Sequence, residues 1–321
     1  MPIDPADFDL SVLLPVRRDL AQLRPEAPPS LRFVVQPRLP PGARLAILPG
    51  SYNPPTTAHL ALADAALASG RADAVLLLLA TRTVNKEKVE GMALEDRLLL
   101  LRRLVAGRDD LGIVLVNRGL YVDQAEIAWH EIPGLAQLWF IVGFDKIVQI
   151  FDPRYYADRD QALDRLFALS AFLVAPRGHD GAAELEDLLD RPENRRYRAR
   201  VERLDVPPDY RDVSSSNVRT APRGAHADVP PPVKRFLEEY GVYEHDGTND
   251  RSGLRPDRYG WRLKVLDLAE AEKLPGRSPP ELAHLWKRSV TPGAMGDELR
   301  GRIARGEPLL RSDLIGGETG S

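Results

Sequence analysis

The 321-residue chain contains no cysteine. Disulfide staples, thiolate nucleophiles and thiolate metal ligands are therefore excluded. No apolar run reaches the ~18 residues that a membrane-spanning helix requires, so no membrane segment is expected. Neither sign of charge dominates: 44 Lys and Arg stand against 47 Asp and Glu, a formal net charge of −3. That balance gives no support to broad nucleic-acid binding. The opening residues, Met-Pro-Ile-Asp-Pro-Ala-Asp, lack the basic and apolar regions of a secretory signal, and a cytoplasmic location is the expectation. His130, His179, His226, His245 and His284 show no metal-ligand spacing, so a protein-held metal is not expected. No internal repeat is present. What is there, 43% hydrophobic and 28% charged residues, suits a chain with a substantial core.

The chain reads in three parts. Residues 1–42 form a proline-rich arm, with a short helix near Arg17 to Leu23 and a strand at Leu31 to Val35. Residues 43–245 alternate strands and helices. Predicted strands are Leu45–Leu48, Ala74–Ala80, Ile113–Asn117, Leu138–Val142, Ala171–Ala175 and Arg200–Leu204. Predicted helices are Ala58–Ser69, Leu94–Val105, Asp123–Glu131, Asp145–Phe151, Ala157–Leu169, Ser215–Thr220 and Pro231–Tyr240. A run such as Ala74 to Ala80, AVLLLLA, is apolar throughout and predicts a strand buried on both faces. The alternation implies an open parallel sheet with helices on both faces. Residues 246–321 open on a linker-like DGTNDRSG. They continue in amphipathic pieces near Trp261–Lys273, Glu281–Arg288 and Asp297–Ala304, a mostly helical extension of unknown role.

Two stretches carry chemistry. Leu48 to Leu60, LPGSYNPPTTAHL, leaves one predicted strand and enters a helix. Gly50 has no side chain, so the turn backbone can approach an anion closely. The first turn of the following helix offers N–H groups and positive dipole. His59 adds a hydrogen-bond donor or a movable charge at the same place. Far downstream lies Val213-Ser214-Ser215-Ser216-Asn217-Val218-Arg219. Ser214 or Ser215 caps a helix start, and Arg219, one turn on, can fork onto a phosphate. In an open α/β sheet both loops belong at one crevice, which would suit a triphosphate.

The first stretch resembles the GSFNPxTxxH form of the HxGH-type nucleotidyltransferases, as found in nicotinamide and nicotinate mononucleotide adenylyltransferases. The second resembles their ISSTxxR motif. Leu138 to Asp145, LWFIVGFD, is similar to their strand and G-x-D; Phe172 to Arg177, to F-x-V-x-x-R; Val229 to Tyr243, to the family's closing helix. Arg118 to Gln124, RGLYVDQ, is similar to the substrate loop with its serine and threonine positions altered. Thr56 stands where the bacterial nicotinate enzymes usually carry His, and Ala58 where they carry Gly. The resemblance covers 43–245, with no counterpart for 1–42 or 246–321.

The resemblance implies a Rossmann-like fold and in-line attack of a mononucleotide phosphate on the α-phosphorus of ATP, with pyrophosphate leaving. His59 would contact the α-phosphate, with Thr56 in support. Gly50, Ser51, Tyr52 and Asn53 would cradle phosphate by their backbone. Ser214, Ser215, Ser216 and Arg219 would hold the departing phosphates, and Asp145 would lie near the adenosine or cap its own helix. Lys86 or Lys88 would steady a substrate phosphate, unless they are solvated loop charges. Tyr121 and Asp123 would serve the pyridine site, or else core packing and N-capping. Mg²⁺ would ride on the ATP phosphates, largely through water. Partners implied are ATP and a mononucleotide, with no nucleic acid and no membrane. Homo-oligomers are common among such enzymes, and the motifs favour neither state. Alternatives are nucleotidyl transfer to another acceptor, such as a pantetheine phosphate, and a nucleotide-binding regulator without turnover.

Overall fold

The computed structural model describes residues 3–81, 91–175, 181–211, 213–221, 227–243, 257–271, 274, 276–309 and 313, with the backbone alone at 181 and 182. Strands β1 (Leu31–Val35), β2 (Ala43–Pro49), β3 (Ala74–Ala80), β4 (Leu111–Val116), β5 (Leu135–Gly143), β6 (Ala171–Ala175) and β7 (Val201–Arg203) form one sheet. Their order is β1-β4-β3-β2-β5-β6-β7. β2 to β7 run parallel, with Leu45 opposite Ala74 on one side and Leu138 on the other. β1 departs from the parallel pattern: it pairs antiparallel with β4, Leu31 opposite Val116. It comes from the N-terminal arm rather than from a crossover helix, so nothing forces it into the parallel direction.

The helices that follow the strands are α2 (Thr57–Ala68), α3 (Leu94–Val105), α4 (Tyr121–Glu131), α5 (Phe144–Phe151), α6 (Arg159–Leu169), α7 (Gly181–Asp190) and α8 (Ser215–Thr220), with α1 (Leu10–Gln22) ahead of the sheet. Every second strand residue (Leu45, Ile47; Leu76, Leu78; Phe140, Val142; Phe172, Val174) joins one core cluster with apolar side chains of α4 to α7. The intervening residues, Ala46, Val75, Leu77, Leu115, Ile141 and Leu173, are buried as well. α2 packs on β2, β3 and β5, and α3 on β4. Side chains alternate across a strand, so both faces of the sheet are covered, as the apolar runs predict. The predicted strands and helices of 43–245 are all present, with ends moved by a few residues; α7 was not among them.

This sheet and its helices form one compact unit, residues 18–221 and 225–230. β2 leads to β3 on one side while β5 lies on the other. The strand order therefore reverses between β2 and β5, and the loops leaving their carboxyl ends border the crevice where such sheets bind ligands.

A second unit comprises residues 1–17, 222–224 and 231–321. It contains α9 (Pro231–Tyr240), α10 (Arg258–Glu270), α11 (Pro279–Val290) and α12 (Ala294–Arg305). The residues of α1 up to Arg17 count with it. No strand occurs among its described residues. Its core gathers Phe8, Phe236, Tyr240 and Trp286, all at most 1% exposed. The Arg262 guanidinium is fully buried and sits 4.7–5.1 Å from the rings of Tyr240, Phe8 and Phe236. Such cation–π contacts offset part of the cost of burying the charge. Among the described residues no helix is long and apolar enough to cross a membrane.

Candidate active site

The loop after β2 turns on Gly50 and Tyr52. Tyr52 adopts φ 46°, the left-handed region that a bulky residue rarely enters. That turn folds its ring inward, where it is fully buried and donates its hydroxyl to the Leu48 carbonyl at 2.5 Å. A Cβ on Gly50 would lie 2.8 Å from the Tyr52 ring, so only glycine fits there. Gly50 N–H donates to the Leu78 carbonyl at 3.0 Å, and Thr57 N–H donates to that of Asp228 at 2.9 Å. Two backbone donors of this motif are therefore engaged within the protein.

The Tyr52 ring lies 4.7 Å from the imidazole of His59. Nδ1 of His59 accepts the Thr56 backbone N–H at 3.0 Å, and the Thr56 hydroxyl lies 2.7 Å from the same nitrogen. A nitrogen that accepts an N–H carries no proton of its own. The neutral imidazole is thus held with its proton on Nε2, and the Thr56 hydroxyl donates to Nδ1. Burial lowers the pKa of His59 from 6.5 to about 4. The geometry acts in the same direction, because a second proton would have to displace the Thr56 donors. His59 keeps partial exposure, whereas Thr56 is fully buried. Thr56 orients the ring; His59 Nε2–H is the group that can reach a ligand.

The downstream motif docks on the same loop. α8 is capped by Ser214, whose side chain accepts the Asn217 N–H at 3.1 Å. Ser215 Oγ donates to the Pro54 carbonyl at 2.8 Å. Arg219 donates to the Asn53 carbonyl at 2.8 Å and to Ser216 Oγ at 3.1 Å. More than 150 residues apart in the chain, the two motifs share one small stretch of backbone. Asn53 is itself buried and takes the Met92 N–H on its side-chain oxygen at 3.0 Å.

Beside the loop lies a cavity of about 520 Å³. Its lining runs from Pro49, Gly50 and Ser51 after β2, through Gly119 to Val122 after β4, to Lys146, Gln149 and Ile150 of α5 and to Tyr155 and Tyr156. Leu120 and Tyr155, 43% and 42% exposed, are among the few large apolar side chains of the described residues left open to solvent. Tyr121 stands edge-on to Phe140 at 5.2 Å, and burial raises its pKa. Burial also pushes Tyr156 up to about 12, and its hydroxyl donates to the Ile150 carbonyl at 2.7 Å. Flat apolar walls of this size suit an aromatic ring.

The sequence-predicted residues thus separate. His59, Thr56, Asn53, Ser214, Ser215, Ser216 and Arg219 come together around one loop. Gly50 and Ser51 line the adjoining cavity, as does Tyr121, which also packs on the core. Tyr52 offers its ring to the interior rather than to solvent. Asp145 lies exposed in the first turn of α5, whose N-cap is Gly143. Asp123, its pKa raised first by burial and then by Glu126, is outside the cavity lining and caps nothing, the N-cap of α4 being Leu120. Lys86 and Lys88 lie outside the described residues. No group of three or more potential metal ligands occurs among the described residues.

Arg97, Lys146 and Gln149 escape sequence reading, while Arg118, which the sequence singles out, is used elsewhere. Arg97, 7% exposed on α3, donates to the carbonyls of Met92 and Ser51 and so ties α3 to the loop. Arg118, expected in the substrate loop, donates instead to the carbonyls of Pro25 and Ala27. Lys146 and Gln149 line the cavity, joined by a 2.8 Å hydrogen bond. Only a lysine–glutamine pair at i, i+3 on a helix start marks them in sequence, and that is common on any solvated face.

Residues 47–221 match the cytidylyltransferase-like family model. The chain belongs to this family of nucleotidyltransferases. Among curated relatives, the Schizosaccharomyces pombe "Putative nicotinamide mononucleotide adenylyltransferase" is 28% identical over 139 residues, 42% of this chain and 54% of the relative. This chain thus spans about half the length of that protein. The Gloeobacter violaceus "Probable nicotinate-nucleotide adenylyltransferase" is 26% identical over 63% of this chain and 97% of the relative. A solved Plasmodium falciparum nicotinic acid mononucleotide adenylyltransferase, complexed with NaAD, aligns with TM-score 0.47 and 17% identity over 62% of this chain and 97% of its own.

Proposed function

We propose that this protein transfers the adenylyl group of MgATP to the phosphate of a nicotinate or nicotinamide mononucleotide. An oxygen of the mononucleotide phosphate attacks the α-phosphorus. The bond from that phosphorus to the bridging oxygen breaks, and pyrophosphate leaves with its electron pair. The carrying observation is the junction of the two motifs: Arg219 and Ser215 bound to the backbone that precedes the His59 helix. The names borne by the relatives and the aromatic cavity beside the junction support the same reading.

In this reading His59 donates Nε2–H to an α-phosphate oxygen, where charge grows as five oxygens crowd the phosphorus. Thr56 keeps that hydrogen on Nε2. Arg219 offsets charge on the departing pyrophosphate, the start of α8 with its serines hydrogen-bonds it, and Asp145 lies toward the adenosine. Mg²⁺ enters with the ATP and offsets phosphate charge. The cavity takes the pyridine ring, with Tyr121 in its wall.

The test is pyrophosphate release from MgATP, with each mononucleotide offered separately and a His59→Ala control run beside it. Release that depends on a pyridine mononucleotide and collapses in the control supports the proposal. Release only with another phosphate acceptor, or ATP binding without release, overturns it.

A further inference from the structure

We propose that Lys146 selects the acid form of the acceptor, making nicotinate mononucleotide the preferred substrate. The inference rests on the adenylyl-transfer reading and assigns the determinant of its substrate choice.

Acid and amide forms are nearly isosteric. A wall of tyrosine rings and aliphatic side chains grips both alike; only charge or hydrogen-bond polarity separates them. Among the described residues that line the cavity, Lys146 is the only one with a charged side chain. Among the described residues no carboxylate lines the cavity to favour the amide, and Asp145, the neighbour of Lys146, is absent from the lining.

The ammonium is also positioned. Lys146 Nζ donates to Gln149 Oε1 at 2.8 Å, and both residues line the cavity. With its oxygen already accepting from Lys146, Gln149 presents its NH₂ as a donor to a ligand. A lysine ammonium and an amide NH₂ are both donors. Together they receive a carboxylate with a charge-assisted hydrogen bond, whereas the NH₂ of a carboxamide would meet donors with a donor. Their place on α5, which leaves β5 at the switch point, puts them beside the Pro49–Ser51 turn, where the acceptor must lie to reach ATP.

The experiment compares kcat/KM for the two mononucleotides in the full-length protein and in Lys146→Met, Lys146→Arg and Lys146→Glu. Calorimetric binding of each mononucleotide without ATP runs in parallel. The expected result is an acid preference in the parent that falls about tenfold in Lys146→Met, the factor that about 1.4 kcal/mol represents. The preference returns in part in Lys146→Arg and inverts in Lys146→Glu. The binding ratios move in step with the kinetic ones. An unchanged ratio overturns the proposal, and so does an equal loss on both substrates, which would put Lys146 on the phosphate they share. Binding of both mononucleotides without pyrophosphate release would instead overturn the transfer reading while the binding ratio still judges Lys146.

Discussion

At the residue scale the site depends on holding one neutral imidazole in one tautomer. Unfolded histidine titrates near 6.5, whereas burial brings His59 to about 4. Between those values the unfolded chain binds the extra proton. The contribution of His59 to stability is therefore full above about pH 6.5 and is lost as pH falls toward 4. An NMR titration of the unliganded protein should find the His59 ring unprotonated throughout pH 5.5 to 8. Adding MgATP should raise its pKa, because phosphate charge favours the imidazolium; a ligand-independent midpoint near 6.5 would remove the basis of the tautomer assignment. His59→Ala should lower kcat by roughly 10²–10³-fold with little change in ATP affinity, the effect of losing a donor aimed at a developing oxyanion. Gly50→Ala tests the turn itself. Its new methyl meets the Tyr52 ring at 2.8 Å, and overpacking of this kind costs about 1–3 kcal/mol. A Tyr52→Ala partner removes the obstacle. In a double-mutant cycle read by urea denaturation, the pair should lose measurably less than the sum of the single losses; simple additivity would mean the ring is not what excludes the side chain. The importance of Gly50 is legible in the sequence, and the structure adds a reason the motif alone does not give: it admits a neighbouring ring and donates to the Leu78 carbonyl.

At the scale of elements, most strands can be read from the sequence because strands buried on both faces must be apolar at every position, as Ala74 to Ala80 is. The antiparallel course of β1 is not legible, since pairing direction depends on where a segment lands and not on what it contains. The landing is set by Asn117, fully buried at the end of β4. Its side-chain oxygen accepts the Ser30 N–H at 3.0 Å, and its NH₂ donates to the carbonyls of Arg24 and Pro28 at 3.1 and 2.9 Å. Nothing in one asparagine announces partners some 90 residues earlier. Asn117→Ala leaves those arm groups without their partner and should cost about 2–4 kcal/mol in urea denaturation, the range for disrupting a buried network. A loss under about 0.5 kcal/mol would mean the arm is held by β1 pairing alone. α8 is legible as a capped helix start, yet its docking is not, because it runs from side chains to backbone carbonyls of the first motif. Ser215→Ala severs the bond to Pro54 and should weaken stability by only about 1 kcal/mol while raising the KM for ATP several-fold. An unaltered KM would separate α8 position from nucleotide binding.

At the scale of the whole molecule, the chain carries a second core whose parts come from both ends of the sequence. Read linearly, the proline-rich arm, the closing helix of the family motif and the extension after 245 look like separate pieces. In the structure Phe8 stacks edgewise on Tyr240 at 6.1 Å, Tyr240 lies 4.8 Å from Trp286, and the Tyr240 hydroxyl donates to buried Asp7 at 2.8 Å. Arg17 pairs with Asp267 at 3.0 Å, a further tie between the first helix and α10. Residues that far apart carry no local pattern that joins them, and an aromatic at position 8 reads as ordinary packing. The consequence concerns any attempt to trim the protein to its family region. Removing 246–321 takes away α10, α11 and α12, and with them Arg262 and Trp286. Phe8, Phe236 and Tyr240 would then face water, a contiguous apolar patch of the kind that drives association. The truncated chain should therefore aggregate or bind a hydrophobic dye strongly. Its far-ultraviolet circular dichroism should retain the sheet signature, since the sheet unit keeps its own core. Adding Phe8→Ser, Phe236→Ser and Tyr240→Ser to the truncated chain should restore solubility if exposed aromatics are the cause. A truncated chain that stays monomeric and dye-silent without those changes would show that the aromatic cluster closes on itself once α10 and α11 are gone.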